Sequence, residues 1–313
     1  MKADNLLLHA AAWEAPNLLP PGREIDFVYV DPPYGVGTEM TARTGKGERR
    51  GRKQEGSGPV AYDDSQPVDA LVAMIARAAA ALRERLAKGA TFAVHLDHRA
   101  VHETKVALDV VFGRGAFVGE IIWVPGNGAR GRGLSMTHQT ILLFARSPSD
   151  RKLVRWNSEL PQLREPFART SLDMHFTNVD ADGRRYRERV VAGKSYKYYA
   201  DVGRKLGTVW SDISAMRANT PLNKEGTGYP TQKPEALLER LILATTTEEG
   251  TVGDFMCGSG TTLAVAARLG RSFIGGDVAA LAVETTQRRL EAQGASFRVV
   301  AQKMAAASPS GEA

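Results

Sequence analysis

Residues 251–277 constrain the fold more tightly than any other stretch of this chain. A short apolar run, Thr251–Phe255, leads into a Gly258-Ser259-Gly260 turn. A helix is predicted over Thr261–Leu269, and a second apolar run, Ser272–Gly275, ends at Asp277. Strand, tight turn, helix and strand in that order form a βαβ unit of an α/β protein. The glycines let the backbone approach a ligand, and the helix N-terminus offers unpaired N–H groups. Asp277 lies 17 residues beyond Gly260, where an acid can accept both hydroxyls of a ribose. The series points to an adenosine-containing cofactor. A nicotinamide fingerprint would place a third glycine at position 263, which is Leu263. The plainer reading of the same residues is a βα turn chosen for packing.

The rest of the sequence extends the α/β pattern. Ile25–Val30 reads as a buried strand, stopped by Pro32 and Pro33. Helices are predicted over 68–87 and 99–112, and strands over 90–96, 118–124 and 139–145. Residues 35–61 are glycine-rich and aperiodic, and read as a mobile loop. The pattern breaks at 151–207, a polar, basic and aromatic stretch that reads as a small inserted domain. It resumes with a helix opened by Pro234, over about 234–247, and ends with a helix over 279–293. Residues 301–313 read as a disordered tail.

Charge sharpens the division. The 313 residues carry 41 Lys and Arg against 35 Asp and Glu. Residues 151–207 hold 13 of those bases and seven of the acids, and residues 43–53 hold six bases and one acid. The remainder is therefore net acidic, and the two basic segments suggest a polyanion-facing surface. The single cysteine, Cys257, excludes an internal disulfide and a cysteine-based zinc site. His95, His98 and His102 have helix-like spacing but no HExxH arrangement, so no metal is expected. The N-terminus does not read as a secretory signal. No apolar run approaches the ~20 residues of a membrane helix, so a cytoplasmic location is expected. Gly193-Lys194-Ser195 lacks the upstream glycine of a phosphate-binding loop, because Glu188 occupies its place.

Two further motifs carry chemistry. Asp31-Pro32-Pro33-Tyr34 follows the first predicted strand, at the end where open α/β sheets bind ligands. The Asp31 carboxylate and the Pro32 carbonyl can accept the two hydrogens of an exocyclic nucleobase amine, and Tyr34 can stack on the base. A strand-to-loop turn explains the same residues without chemistry. Gly228-Tyr229-Pro230-Thr231-Gln232-Lys233-Pro234 precedes a helix and offers hydroxyl, amide and backbone groups suited to a carboxylate, or simply a helix cap.

Taken together, these motifs resemble the S-adenosylmethionine-dependent DNA amino-methyltransferases. The order DPPY (31–34), basic segment, FMCGSGTT (255–262) is similar to their β group, and the likeness extends over about 24–293. It includes EIIW at 120–123, HQTILLFARS at 138–147, TVWSDI at 208–213 and GYPTQKPEALLERLI at 228–242. Phe255 stands where the family usually has proline, Asp277 where glutamate is more frequent, and Gly35 where asparagine usually follows DPPY.

The resemblance implies a Rossmann-like, mainly parallel sheet flanked by helices, the class I methyltransferase fold. It would be circularly permuted, with an inserted target-recognition region at 151–207 and a catalytic domain made of 1–150 and 208–300. It implies S-adenosylmethionine as cofactor, held by Asp254, Phe255, Cys257, Gly258, Gly260, Thr261, Thr262 and Asp277, with Thr231, Gln232 and Lys233 at its methionine end. Asp31, Pro32, Pro33 and Tyr34 would be catalytic. Double-stranded DNA would meet Lys46, Arg49, Arg50, Arg52, Lys53, Arg130, Arg132, Arg184, Arg185, Arg187, Lys194 and Lys197, with the 37–61 loop closing over it. DPPY is more often tied to N6 of adenine than to N4 of cytosine. The family also leaves room for a homodimer and for a cognate restriction endonuclease on another chain. N4-cytosine methylation and a non-catalytic DNA-binding module are the competing readings.

Overall fold

The computed structural model describes residues 4–42, 59–126, 132–216 and 225–301. The chain divides into two compact units, one formed by Met1–Arg155 with Val209–Ala313 and the other by Trp156–Thr208.

The larger unit opens with β1 (Leu6–His9), β2 (Ile25–Val30), β3 (Glu39–Thr41), β4 (Val60–Asp63) and α1 (Val68–Arg83). Next come β5 (Leu86–Leu96), α2 (Val101–Phe112), β6 (Phe117–Trp123) and β7 (Gln139–Ala145). The smaller unit holds β8 (Arg164–Glu165), α3 (Arg169–His175), β9 (Asn178–Val179), β10 (Arg185–Val191), β11 (Lys194–Tyr199) and β12 (Arg204–Lys205). The larger unit then resumes with β13 (Val209–Trp210), α4 (Glu235–Thr245), β14 (Thr251–Asp254), α5 (Thr261–Arg268), β15 (Ser272–Asp277), α6 (Ala280–Ala292) and β16 (Arg298–Ala301).

Nine strands form one sheet in the order β13-β6-β7-β5-β2-β14-β15-β1-β16. Every neighbouring pair is parallel except those of β7, which runs against both β5 and β6. The central strands are buried on both faces, so they read as continuous apolar runs: in β2, only Asp26 is not fully buried. Helix α1 shows the complementary pattern. Leu71, Ile75, Ala78, Ala79 and Leu82 recur at helical spacing and pack into the core with Val28, Val30 and Phe92.

Two consecutive glycines in β15 allow its close packing. A Cβ on Gly275 would lie 2.4 Å from the Asp254 carbonyl oxygen, and one on Gly276 would lie 2.2 Å from that of Leu8. Only hydrogen fits at either position.

Several expectations need correction. Strand β1, inside the sheet, and the edge strand β16 leave no signal in the sequence: four residues are too few for a period, and β16 is mostly exposed. Ala301 ends a strand, and 302–313 lie outside the described residues. The 35–61 segment is not wholly irregular, because β3 lies in it and pairs antiparallel with β4, which begins at its end and runs to Asp63. Helix α1 stops at Arg83 because the long strand β5 already begins at Leu86. Pro234 is the N-cap of α4 rather than its first turn, with extended backbone (φ −67°, ψ 140°). His95 lies on β5 and His102 on α2, so the three histidines share no helix face. Among the described residues no acid, histidine and cysteine group is placed to hold a metal, and no helix is long and apolar enough to cross a membrane.

The smaller unit is built on β9, β10 and β11, with α3 and the two-stranded β8–β12 pair. Phe176 and Leu163 are buried in it, and Phe167 packs on Phe176 with ring centroids 4.6 Å apart. The β10–β11 turn passes through Ala192 and Gly193, both at positive φ (48° and 77°). A two-residue turn of this hand matches the twist of the strands it joins.

Candidate active site

In a parallel sheet, all strand C-termini point to one edge. Three neighbouring strands, β2, β14 and β15, deliver Asp31–Tyr34, Asp254–Ser259 and Asp277–Ala279 to that edge, where they line one cavity of about 160 Å³. The 229–233 segment before α4 completes the lining, with Trp13, Tyr62 and Met74 among the other walls. The sequence motifs at 31–34, 231–233 and 254–262, and Asp277, therefore meet in one place.

At the Asp31 end, Tyr34 Oη donates a hydrogen bond to Asp31 Oδ1 at 2.7 Å, and Lys233 Nζ donates to Asp31 Oδ2 at 2.5 Å. The Lys233 ammonium also lies 5.0 Å from the centre of the Tyr34 ring. The loop that follows is tied down by the buried Asp64, whose Oδ1 accepts the Gly35 N–H at 2.7 Å. Burial pushes the Asp64 carboxyl up, and hydrogen bonds from the Gly35, Val36 and Tyr34 amides pull it back. Behind the site, Tyr29 Oη and His95 Nδ1 sit 2.7 Å apart in the core, and burial holds His95 well below the usual imidazole range.

At the other end, Asp277 accepts the Gly258 N–H at 3.0 Å and the Ala279 N–H at 2.9 Å. Burial raises its carboxyl, and these amide bonds oppose that rise. Asp254 is buried between the two ends. Desolvation pushes it up to about 8, with Asp31 and Asp277 adding to the rise and the Thr262 hydroxyl and Met256 amide opposing it. Cys257 is buried, its Sγ 3.4 Å from Thr286 Oγ1, and desolvation raises its thiol well above the ordinary value. Such a thiol is a packing group, not a nucleophile.

The 225–233 segment is braced from within. The Thr227 amide and hydroxyl donate to Gln232 Oε1, and Gln232 Nε2 donates to the Glu225 carbonyl at 2.7 Å. Thr231 adopts a positive φ of 57°, unusual for a β-branched residue, and its hydroxyl lies 3.0 Å from Tyr62 Oη. Tyr62 and Tyr229 stack with centroids 6.4 Å apart.

Not every expected residue lines the cavity. Gly260 turns its α-carbon toward α6, where a Cβ would meet Thr286 Oγ1 at 2.6 Å, so its role is helix packing and a left-handed turn (φ 72°). Phe255, Cys257, Gly258, Thr261 and Thr262 do line it. Lys233 faces Asp31 rather than standing apart with Thr231 and Gln232. Tyr62, Trp13 and Asp64 were not foreseen from sequence. Each comes from a segment without a motif, brought in only by tertiary structure.

Of the expected DNA contacts, Lys46, Arg49, Arg50, Arg52, Lys53 and Arg130 lie outside the described residues. Arg132 is exposed in the larger unit. In the smaller unit, Arg184 pairs with Asp201 at 2.9 Å and lies over Tyr199. Arg185 donates to the Phe176 and Leu172 carbonyls at 3.0 and 2.8 Å. Arg187 lies over the rings of Phe167, Phe176 and Tyr198. These three guanidiniums are engaged in building their own unit. Lys194 and Lys197 are exposed, with Lys197 over the Tyr186 ring.

The architecture is the Rossmann-like fold of class I methyltransferases. By fold the chain is similar to the cytosine-N4-specific PvuII DNA methyltransferase (TM-score 0.57, 15% identity, 92% of this chain and 87% of that one). It is also similar to M1.HpyAVI in its SAM complex (TM-score 0.51, 18% identity, 91% and 98%). The family model described as "DNA methylase" (N6_N4_Mtase) matches residues 25–288, and the chain belongs to that family. Among curated relatives, the type II methyltransferase M.EcaI of Enterobacter cloacae is 24% identical over 87% of this chain and 66% of its own length. The DNA adenine methyltransferase YhdJ of Escherichia coli K12 is 44% identical over 27% of this chain and 28% of its own. The chain thus spans less than two thirds of either relative.

Proposed function

We propose that this protein transfers a methyl group from S-adenosylmethionine to the exocyclic N6 amine of adenine in double-stranded DNA, as a β-group enzyme. The observation that carries the reading is the placement of Asp31-Pro32-Pro33-Tyr34 in the same cavity as Asp254 and Asp277. One end offers acceptors for an amine, and the other offers a ribose-binding acid beside a glycine turn.

The residues fit such a cofactor. Asp277 would hold the ribose, positioned by the Gly258 and Ala279 amides, with Phe255 and Val278 as apolar walls. Bound there, S-adenosylmethionine supplies an electrophilic methyl on a sulfonium. The protein's part is to position the amine and exclude water. An aromatic exocyclic amine is a poor nucleophile, because its lone pair is delocalised into the ring. Asp31 Oδ and the Pro32 carbonyl would accept its two N–H groups and localise that pair on nitrogen. Attack of that lone pair on the methyl would release one N–H proton, which the Asp31 carboxylate already accepting that hydrogen would take up and pass to solvent, the C–S bonding electrons staying on sulfur. Tyr34 would stack on the base. A target buried in a duplex must first be turned out of the stack.

The smaller unit, with its basic surface, would serve as the target-recognition region, positioned by phosphate contacts. The adenine assignment draws support from the DPPY form of the motif and from the likeness to YhdJ over 85 residues. A restriction-modification role draws support from M.EcaI, a type II methyltransferase.

The test is transfer of labelled methyl from S-adenosylmethionine to duplex DNA by the wild type and by Asp31→Ala. Loss of transfer with retained S-adenosylhomocysteine binding supports the reading. Full transfer by the variant removes Asp31 from the chemistry.

A further inference from the structure

Lys233 is buried, with 8% of its side chain exposed, yet its ammonium is aimed at Asp31 rather than at solvent. A buried ammonium is costly unless it is paired. Here the pairing is with the carboxylate on which the proposed chemistry depends. Two donors approach Asp31, one to each oxygen: Tyr34 Oη on Oδ1 at 2.7 Å and Lys233 Nζ on Oδ2 at 2.5 Å. The same ammonium lies over the Tyr34 ring at 5.0 Å, so Asp31, Tyr34 and Lys233 form one cluster. Rotating the carboxylate would break both hydrogen bonds. An ionised carboxylate has about four acceptor sites, so two remain for an incoming amine.

The delivery of Lys233 is itself constrained. The preceding turn carries the positive φ of Thr231, is braced by the Thr227–Gln232–Glu225 bonds, and leads directly into Pro234 and α4. The cavity lining among the described residues contains three carboxylates, Asp31, Asp254 and Asp277, and Lys233 is its one lysine or arginine.

We propose that Lys233 is a positioning residue for methyl transfer, holding the Asp31 carboxylate from its Oδ2 side while Tyr34 holds Oδ1, so that the amine meets a fixed acceptor. This rests on the functional reading above and departs from the sequence expectation that Lys233 serves the methionine end of the cofactor.

The two roles separate kinetically. Lys233→Met should lower kcat at saturating DNA and cofactor by roughly 10–100-fold, the effect of removing one charge-assisted hydrogen bond. Its affinity for S-adenosylhomocysteine should stay within about threefold of wild type. Lys233→Arg, which restores a cation, should recover kcat to within about tenfold of wild type. The pair is also read without turnover, by a double-mutant cycle in urea unfolding with Asp31→Asn: the effects of Lys233→Met and Asp31→Asn should be non-additive.

A kcat for Lys233→Met within twofold of wild type overturns the inference. So does a loss of cofactor affinity with kcat retained, or an additive cycle. A wild type that leaves DNA unmethylated overturns the functional reading and the inference with it. An active wild type with an unaffected Lys233→Met overturns the inference alone.

Discussion

Replacing Tyr34 with phenylalanine removes one oxygen from the candidate site and keeps the ring. That oxygen donates to Asp31 Oδ1 at 2.7 Å. Hydrogen bonds to charged groups contribute roughly 1.5–3 kcal/mol. If the bond orients Asp31 for the amine, its loss falls on the transition state, and each 1.36 kcal/mol is tenfold in rate. The expected fall in kcat is therefore about 10–150-fold. Tyr34→Ala removes the ring as well, and base stacking contributes a further ~1–3 kcal/mol. The alanine variant should then be slower than the phenylalanine variant by at least about fivefold. Single-turnover methyl transfer to a duplex, with S-adenosylhomocysteine affinity measured in parallel, separates the two. Cofactor affinity should barely move in Tyr34→Phe. A Tyr34→Phe enzyme within twofold of wild type would show that the hydroxyl does not position Asp31. Equal rates for the two variants would show that the ring stacks on nothing.

Other consequences follow from charge and packing. Asp254 is raised in the fold from 3.8 to about 8, so its contribution to stability is complete below pH 4, is lost progressively as pH rises toward 8, and is absent above. Asp254→Asn should therefore lose less thermal stability than wild type between pH 5 and 9, and parallel Tm–pH curves for the two would contradict the buried-acid account. In the smaller unit, Arg187 lies among Phe167, Phe176 and Tyr198, whereas Lys194 is exposed at the β10–β11 turn. Arg187→Ala should speed proteolysis within 156–208. Lys194→Ala should leave proteolysis unchanged and reduce the salt slope of DNA binding by about one, and the opposite pattern would reverse the two roles.

Much of the site was legible because its residues sit in local motifs. Strand–GxG–helix–strand with Asp277, and strand–DPPY, each encode a turn at a strand's C-terminus, and parallel neighbours necessarily bring such turns to one edge. Tyr62 and Trp13 were illegible for the converse reason: their neighbours in sequence say nothing of the cavity, and only the tertiary placement of the separate β3–β4 pair and of the turn after β1 brings them there. Lys233 was found, but its partner was not, since an ion pair between residues 202 positions apart leaves no trace in spacing. Gly260 was assigned to a ligand because glycine in a turn suits close approach, yet the group it approaches is Thr286 of α6. The arginines of β10 show the limit of charge counting. The count says nothing of how each guanidinium is held: Arg185 and Arg187 make carbonyl and ring contacts within their own unit, while Arg185 and Arg189 stay exposed.

The central claim is the identity of the methylated atom. Duplex DNA incubated with the protein and S-adenosylmethionine, then digested to nucleosides and resolved by mass spectrometry, reads it directly. The expected product is N6-methyladenine, absent from a parallel Asp31→Ala reaction. N4-methylcytosine as the sole product, or unmodified DNA, would contradict it.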